Sequence, residues 1–179
     1  MTSEPRKIYW DSSCFICFLN ANEEARRRIC EDILYHAQNG GIQLWTSTWT
    51  IVEVIRPKKP GSQALKLTPI QIDKIQGMFD WPFLMKIHLD ERVAREAVKL
   101  ARNCGLRPPD AVHAASAILT KLDVLQRWDR DFDKIKQLIA VEEPQFITQQ
   151  GELIPGHRKA IGPVPDEDSN APQTAQDKK

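Results

Sequence analysis

The chain contains 179 residues, a length that predicts one domain large enough to bury a hydrophobic core. No apolar run approaches the roughly 20 residues that a membrane-spanning helix needs, and the N-terminus lacks the apolar core of a signal peptide. Composition therefore argues against a membrane or secreted protein and predicts a cytoplasmic one.

The charge of the chain is nearly balanced overall but unevenly distributed. Lysine and arginine number 25 against 24 aspartate and glutamate residues. Residues 142–179 contain seven acids and four bases, so residues 1–141 contain 17 acids and 21 bases and carry a net charge of +4. A basic body permits nucleic-acid binding without establishing it.

The first part of the chain predicts a strand, a helix and a second strand. Residues 7–10 form a short strand candidate that ends at an acid. Asn22 is the predicted cap of a helix whose apolar residues recur at helical spacing until Asn39-Gly40-Gly41 stops it. Residues 42–46 then predict the second strand.

Two helices are predicted before the next strand. The first carries Glu53 and ends at Arg56, because Pro57 disfavours helical geometry in the residue before it. The second begins at Thr68-Pro69, where threonine caps the helix, proline takes its first position and a glutamine two residues later can reach back to the cap.

The remaining elements continue this alternation of strands and helices. Asp90 precedes a helix that Gly105 closes, and Pro109 opens an alanine-rich helix that can pack closely against its neighbours. Three more strands are predicted, at residues 84–89, 124–128 and 138–141.

Such an alternation predicts an α/β fold, with a mainly parallel central sheet of four to five strands flanked by helices. Residues 1–142 are the predicted domain, and the proline-rich residues 143–179 are predicted to be a flexible, disordered tail.

Four acids stand in or beside apolar segments that predict strands and helices: Asp11, Glu53, Asp110 and Asp129. Two of them follow predicted strands, and sites in parallel sheets form at the carboxyl ends of strands. Burying a carboxylate is costly unless its charge is compensated, and the apolar segments hold no matching set of lysines or arginines. Oxygen ligands alone suit Mg²⁺ or Mn²⁺, which often act on phosphate esters. The pattern predicts a metal-dependent nuclease.

Two motifs resemble those of the PIN-domain family, small ribonucleases that include the VapC-type toxins of VapBC toxin–antitoxin pairs. Residues 109–117 read Pro-Asp-Ala-Val-His-Ala-Ala-Ser-Ala, similar to the family helix Asp-Ala-x-x-x-Ala-x-Ala. Residues 128–132 read Trp-Asp-Arg-Asp-Phe, similar to Thr-x-Asp-x-Asp-Phe. The resemblance covers roughly residues 7–141. One departure is Arg127, which stands where the family often has threonine or serine.

The resemblance implies that Asp11, Glu53, Asp110 and Asp129 bind Mg²⁺ or Mn²⁺ and that a water molecule activated by the metal cleaves RNA. Each acid could instead be a turn, a cap or a surface charge. Four further residues are auxiliary candidates: Ser12, Ser13, His113 and Asp131. His113 could face the cleft or be a satisfied core residue. Four basic residues are candidate RNA contacts, although such charges are commonly only solvated: Arg56, Lys58, Lys59 and Arg130.

The four cysteines suit a reducing compartment. Cys14 and Cys17 have the spacing of a redox pair or half a zinc site, but they lie in an apolar run and no second such pair completes a zinc site. We therefore expect two buried free thiols.

The function that these observations favour is a Mg²⁺- or Mn²⁺-dependent endoribonuclease acting as the toxin of a type II toxin–antitoxin system. Its expected partners are RNA and an antitoxin protein, and a homodimer is left open. One alternative is a catalytically inactive PIN-like binding module in a larger assembly. Another is a metal-dependent DNA nuclease or phosphoesterase, because no residue reports on the 2′-hydroxyl.

Overall fold

The computed structural model of the protein describes residues 4–20, 22–55 and 68–147. None of the helices in these ranges is long and apolar enough to span a membrane. The described strands and helices are β1 (Arg6–Trp10), α1 (Ser12–Leu19), α2 (Glu24–Gln38), β2 (Ile42–Ser47), α3 (Thr48–Ile55), α4 (Pro69–Met78), β3 (Leu84–Ile87), α5 (Glu91–Cys104), α6 (Pro108–Leu119), β4 (Val124–Gln126), a 3-10 helix (Asp131–Ile135) and β5 (Ala140–Glu142).

The described strands form one five-stranded sheet in the order β3-β2-β1-β4-β5, and every pairing is parallel. The predicted α/β fold with a parallel sheet is therefore confirmed. Strand β1 is central, pairing with β2 through Ile8 and Leu44 and with β4 through Ile8 and Val124. Because the strand order reverses direction around β1, the carboxyl ends of β1 and its neighbours border a crevice of the kind that binds ligands in such sheets.

Hydrophobic residues cover both faces of the sheet. Ile8 and Trp10 of β1 pack on one face with side chains from α1, α2 and α4. Tyr9, which points to the opposite face, packs with side chains from α5 and α6. Both faces are thus buried, as expected for a parallel sheet, and only the strand ends remain accessible for a site.

Several predicted helix ends are confirmed. Thr68 forms a capping box with Gln71 at the start of α4, and Asp90 caps α5 by accepting a hydrogen bond from the Val93 N–H. Gly105 follows α5 with a φ of +65°, a left-handed conformation that glycine adopts without strain.

Other boundaries differ from the predictions. Helix α2 begins at Glu24, and Glu23 occupies its N-cap position, so Asn22 is not its cap. Helix α1 was not predicted, because its apolar run Ser-Ser-Cys-Phe-Ile-Cys-Phe-Leu is buried along much of its length and lacks a polar face. Strands β3 and β4 each end two residues before the predicted end, and β5 starts two residues later than predicted.

The packed body continues five residues past the predicted domain boundary. Pro144 is buried, and the backbone N–H of Ile147 donates to Asp32 Oδ2 at 2.9 Å. Ile147 also packs against the core beside α2. The predicted tail beyond these residues lies outside the described ranges, so its flexibility stays a prediction.

Candidate metal and active site

The four acids singled out from the sequence lie on elements that meet at the carboxyl-terminal edge of the sheet. Asp11 directly follows β1, and Asp129 lies three residues after β4. Glu53 lies on α3, which directly follows β2, and Asp110 lies in the first turn of α6. The central strands β2, β1 and β4 thus direct three of the connections to one edge.

Asp11 is a buried carboxylate, 2% exposed. It caps α1: its Oδ1 accepts hydrogen bonds from Ser13 Oγ at 2.6 Å and from the Cys14 N–H at 3.3 Å. Burial raises the pKa of the Asp11 carboxyl to about 6, and repulsion from Asp129 adds to the rise. Attraction to the His113 imidazole and the bond from Ser13 oppose it. The charged form is therefore costly in the protein alone.

Asp129 is half-buried and accepts a hydrogen bond from the Asp131 N–H at 3.2 Å. Burial raises its pKa, and repulsion from Asp131 and Asp110 adds to the rise. The Asp129 carboxylate thus lies near enough to repel Asp11 on one side and Asp110 on the other.

Ser13 joins the Asp11 and Asp129 segments. Its hydroxyl donates to Asp11 and accepts a hydrogen bond from the Trp128 N–H at 2.9 Å, one residue before Asp129. The backbone N–H of Asp11 also donates to the Gln126 carbonyl at 3.3 Å. The Ser13 hydroxyl and this backbone bond together link the ends of β1 and β4.

Asp110 has a cationic partner that the sequence analysis did not anticipate. Arg107 Nε donates to Asp110 Oδ2 at 2.8 Å, and the same guanidinium contacts Asp131. Arg107 remains 67% exposed, whereas the Asp110 side chain is only 10% exposed. Asp110 thus has a positive partner, which lies outside the apolar segments and is mostly exposed.

Glu53 is likewise paired. His113 Nε2 lies 2.7 Å from Glu53 Oε2, and His113 Nδ1 lies 2.8 Å from the Tyr9 hydroxyl. Burial raises the pKa of the Glu53 carboxyl, but hydrogen bonds from His113 and Ser12 and attraction to His113 hold it below its ordinary value. Burial also raises the pKa of the Tyr9 phenol. His113 thus turns toward the site and is also a satisfied buried residue.

Arg127 replaces the hydroxyl residue that the family often has two positions before the fourth acid. It is buried and bonds to Asp133 at 2.6 Å and to Glu143 at 3.4 Å. It therefore anchors the segment around Asp129 to the 3-10 helix and to the chain beyond β5. Ser13, from a different element, is the hydroxyl group that contacts this segment.

The candidate RNA contacts are only partly described. Arg130 is exposed beside Asp129, whereas Arg56, Lys58 and Lys59 lie outside the described residues. Trp10 is fully buried and donates to Gln126 Oε1 at 2.8 Å, so it belongs to the core. The Arg26 guanidinium lies 4.8 Å from the centre of the Trp128 ring, an intramolecular cation–π contact.

The expected buried thiols are confirmed. Cys14 and Cys17 are buried and free, as is Cys30. Burial raises the pKa of the Cys17 thiol to about 11, which makes it a poor nucleophile at neutral pH.

The four carboxylates have the right chemistry for a divalent cation, but their side chains are not arranged around a common point. Across residues 4–20, 22–55 and 68–147, no three acid, histidine or cysteine side chains are arranged as a ready ligand cluster. Asp11 and Asp129 have raised pKa values that a nearby cation would relieve. Asp110 and Glu53 already hold Arg107 and His113. The chemistry of the oxygens suits Mg²⁺ or Mn²⁺, and a cation using all four would share them with these partners.

Two participants in this site were missed from the sequence. Arg107 stands three residues before Asp110, a helical spacing at which opposite charges meet. Tyr9 stands two residues before Asp11, whose backbone is still extended, a spacing at which side chains of an extended segment share a face. Both spacings were visible signals, but only the fold shows that their other partners are near.

The order of these acids on a parallel α/β sheet can be compared with known proteins. The PIN domain model matches residues 8–138. This chain belongs to the PIN-domain family. Members of the family are nucleases, which cleave phosphodiester bonds. Comparison with curated protein sequences gives no significant match.

Solved structures share the fold of this PIN-domain protein. A toxin–antitoxin complex from Klebsiella pneumoniae is 19% identical, with a TM-score of 0.52, and the alignment covers 78% of this chain and 99% of the other. FitAcB from Neisseria gonorrhoeae is 16% identical, with a TM-score of 0.53 and coverages of 76% and 97%. VapBC2 from Rickettsia felis, bound to a promoter DNA fragment, is 13% identical, with a TM-score of 0.50 and the same coverages. At these identities the likeness establishes the fold alone.

Proposed function

We propose that this PIN-domain protein is a Mg²⁺- or Mn²⁺-dependent endoribonuclease. The observation that carries the proposal is the convergence of Asp11 and Asp129 at one sheet edge, where burial raises the pKa values of both carboxyls and repulsion between them adds to the rise. Natural folds retain such uncompensated charge mainly at functional sites. The nearby thiols of Cys14 and Cys17 offer no covalent alternative at this edge, since both are buried and burial raises the pKa of the Cys17 thiol to about 11.

The proposed cation ligands are Asp11, Asp129, Asp110 and Glu53. A bound divalent cation supplies positive charge to a phosphate ester and lowers the pKa of water. Asp11 is held in place for this role by Ser13 and by its cap of α1. Ser13 also fixes the distance to the Asp129 segment, and Arg127 anchors that segment from the opposite side.

Arg107 is the group best placed to meet the substrate backbone. It lies at the site, is mostly exposed, and its guanidinium suits bidentate contact with a phosphate. If the Arg107 guanidinium moved from Asp110 to a phosphate, the Asp110 carboxylate would become free to bind a metal cation. Arg130 and the undescribed Arg56, Lys58 and Lys59 remain the other proposed RNA contacts.

We further propose that the protein is the toxin of a type II toxin–antitoxin pair, acts in the cytoplasm and has an antitoxin as its partner. Two proteins of the same fold are a toxin–antitoxin complex and VapBC2 by name, which supports the assignment. A homodimer stays a prediction.

The test is cleavage of a labelled single-stranded RNA and of the matched DNA with Mg²⁺, with Mn²⁺ and with EDTA. We expect RNA cleavage that EDTA abolishes, with a 5′-phosphate and a 3′-hydroxyl at the new ends. Asp11→Asn should abolish cleavage. Asp73→Asn, the same change at an exposed position of α4, should not.

Other outcomes would support the alternatives. Cleavage of DNA in preference to RNA would support a DNA nuclease, and binding of RNA without cleavage would support an inactive binding module. Undiminished cleavage in EDTA would contradict metal dependence.

A further inference from the structure

A hydrogen-bonded chain links three elements beneath the acids. The Tyr9 hydroxyl of β1 lies 2.8 Å from His113 Nδ1 of α6, and His113 Nε2 lies 2.7 Å from Glu53 Oε2 of α3. Tyr9 and His113 are at most 1% exposed, whereas the Glu53 side chain is 18% exposed. The chain thus runs from the core to the accessible edge of the site.

The acceptor at the accessible end determines where the imidazole proton lies. An ionised carboxylate can only accept hydrogen bonds, so Nε2 must carry a proton and donate it to Glu53. In the neutral imidazole, Nδ1 is then an acceptor, and the Tyr9 hydroxyl donates to it. Glu53 thus selects the tautomer, and the Tyr9 hydroxyl supports it by donating to Nδ1.

We propose that His113 is a positioning residue that holds the Glu53 carboxylate for cation binding, with the Tyr9 hydroxyl supporting the tautomer that donates to Glu53. This role rests on the proposed metal-dependent function. His113 uses only one carboxylate oxygen, Oε2, and leaves Oε1 without a bond to the imidazole. Hydrogen bonds to a ligating carboxylate orient it, and losing such a partner typically costs about 10–100-fold in metal affinity or activity.

Packing alone explains these contacts less well. The His113 ring packs edge-on against Tyr9 and Phe132, contacts that an apolar ring could also make. Burying an imidazole is costly unless both nitrogens are bonded. Both are bonded here, and one bond reaches a half-buried glutamate at the site. The specific polar pairing is what an apolar replacement would lose.

Two substitutions of His113 distinguish the bond to Glu53 from the bond to Tyr9. The amide nitrogen of glutamine can lie near the position of Nε2 and donate to Glu53, whereas asparagine reaches only the position of Nδ1. In His113→Asn we expect the dissociation constant for Mn²⁺, measured by calorimetry without RNA, to rise about 10–100-fold. In His113→Gln we expect a rise of no more than about fivefold. Melting of the metal-free proteins checks that both variants fold.

A double-mutant cycle tests whether His113 acts through Glu53. In a Glu53→Gln background, His113→Asn should change the Mn²⁺ dissociation constant by less than about twofold. Steady-state kinetics add a second readout: His113→Asn should lower kcat at a fixed Mn²⁺ concentration and leave the KM for RNA unchanged. Tyr9→Phe keeps the His113–Glu53 hydrogen bond but removes the hydroxyl that bonds to Nδ1. It should weaken Mn²⁺ binding less than His113→Asn does.

Three results would overturn the role. These are equal losses in the asparagine and glutamine variants, an undiminished effect of His113→Asn in the Glu53→Gln background, and a change in KM alone. A wild-type protein that binds no Mn²⁺ and cleaves no RNA would instead overturn the proposed function, and this role with it. If both His113 variants fail to fold, Tyr9→Phe decides, since unchanged Mn²⁺ binding in that variant contradicts the chain.

Discussion

Two pairs of carboxylates meet at the same sheet edge and are held in opposite ways. Asp110 and Glu53 are each bonded to an internal partner, Arg107 or His113. Asp11 and Asp129 are bonded mainly to hydroxyl and backbone N–H groups, and burial and repulsion raise their pKa values. The first pair is oriented by its partners in the protein alone, while the second is costly to ionise.

We therefore expect the two pairs of carboxylates to contribute differently to cation binding. A cation that binds between the pairs gains most from Asp11 and Asp129, because it relieves their repulsion. It gains orientation from Glu53 and Asp110, which internal partners already hold in place. Substitutions in the two pairs should therefore have similar effects on activity and opposite effects on the stability of the metal-free protein.

The largest expected effect is loss of cleavage in either pair. Asp11→Asn and Asp110→Asn should each lower kcat/KM for RNA at least about 100-fold, because a bound cation contributes several kcal/mol to the barrier. The measurement is initial cleavage rate with saturating Mn²⁺, with Asp73→Asn as the matched control. Activity retained in Asp110→Asn alone would remove Asp110 from the ligand set and leave it as the partner of Arg107.

The pH dependence of the free energy of unfolding should reveal the cost of ionising the buried Asp11 carboxyl. Its pKa of about 6 in the folded protein lies above the ordinary value of 3.8, so its protonated form favours folding. That contribution is complete below pH 4 and is lost as pH rises through 6. In EDTA, Asp11→Asn should therefore gain stability over wild type between pH 4 and pH 7, by up to about 3 kcal/mol. Urea unfolding at several pH values measures the difference, and a constant difference would contradict it.

The paired carboxylates should behave in the opposite way. Glu53→Ala strands the buried Nε2–H of His113, which typically costs about 1–3 kcal/mol. The metal-free variant should therefore unfold at lower urea concentration than wild type, whereas Asp11→Asn should unfold at higher concentration at pH 7. If Glu53→Ala proves as stable as wild type, the pairing with His113 contributes little, and the contrast between the two pairs fails.

The smallest expected effect concerns Arg107. Its guanidinium is mostly exposed, so its bond to Asp110 is worth at most about 1 kcal/mol. Arg107→Gln should therefore raise Mn²⁺ affinity by no more than about fivefold, because the Asp110 oxygens no longer bond to the Arg107 guanidinium and are free for the metal. Calorimetry without RNA measures this change. Weaker Mn²⁺ binding in the variant would mean that Arg107 orients Asp110 for the cation and does not compete with it.

Sequence patterns were sufficient for the fold. Alternating strands and helices predicted the parallel sheet, and the capping residues Thr68 and Asp90 predicted two helix starts, because these signals depend on neighbours within one turn. The same local patterns failed at α1, where no polar face marks a helix buried along much of its length. Asn22 was a plausible cap, but the chain enters α2 one residue later.

Sequence by itself also determined which residues carry charge into the site, since the four acids stand at element ends that a parallel sheet brings to one edge. Arg107 meets Asp110 at a helical spacing that the sequence contains, whereas only the tertiary structure decided the partner of Glu53. Glu53 meets His113 across 60 positions, and His113 meets Tyr9 across 104. Such pairs depend on how α3, α6 and β1 pack, and packing depends on side-chain volumes throughout the core. Charge pattern is local, whereas charge compensation between residues far apart in sequence is a property of the fold.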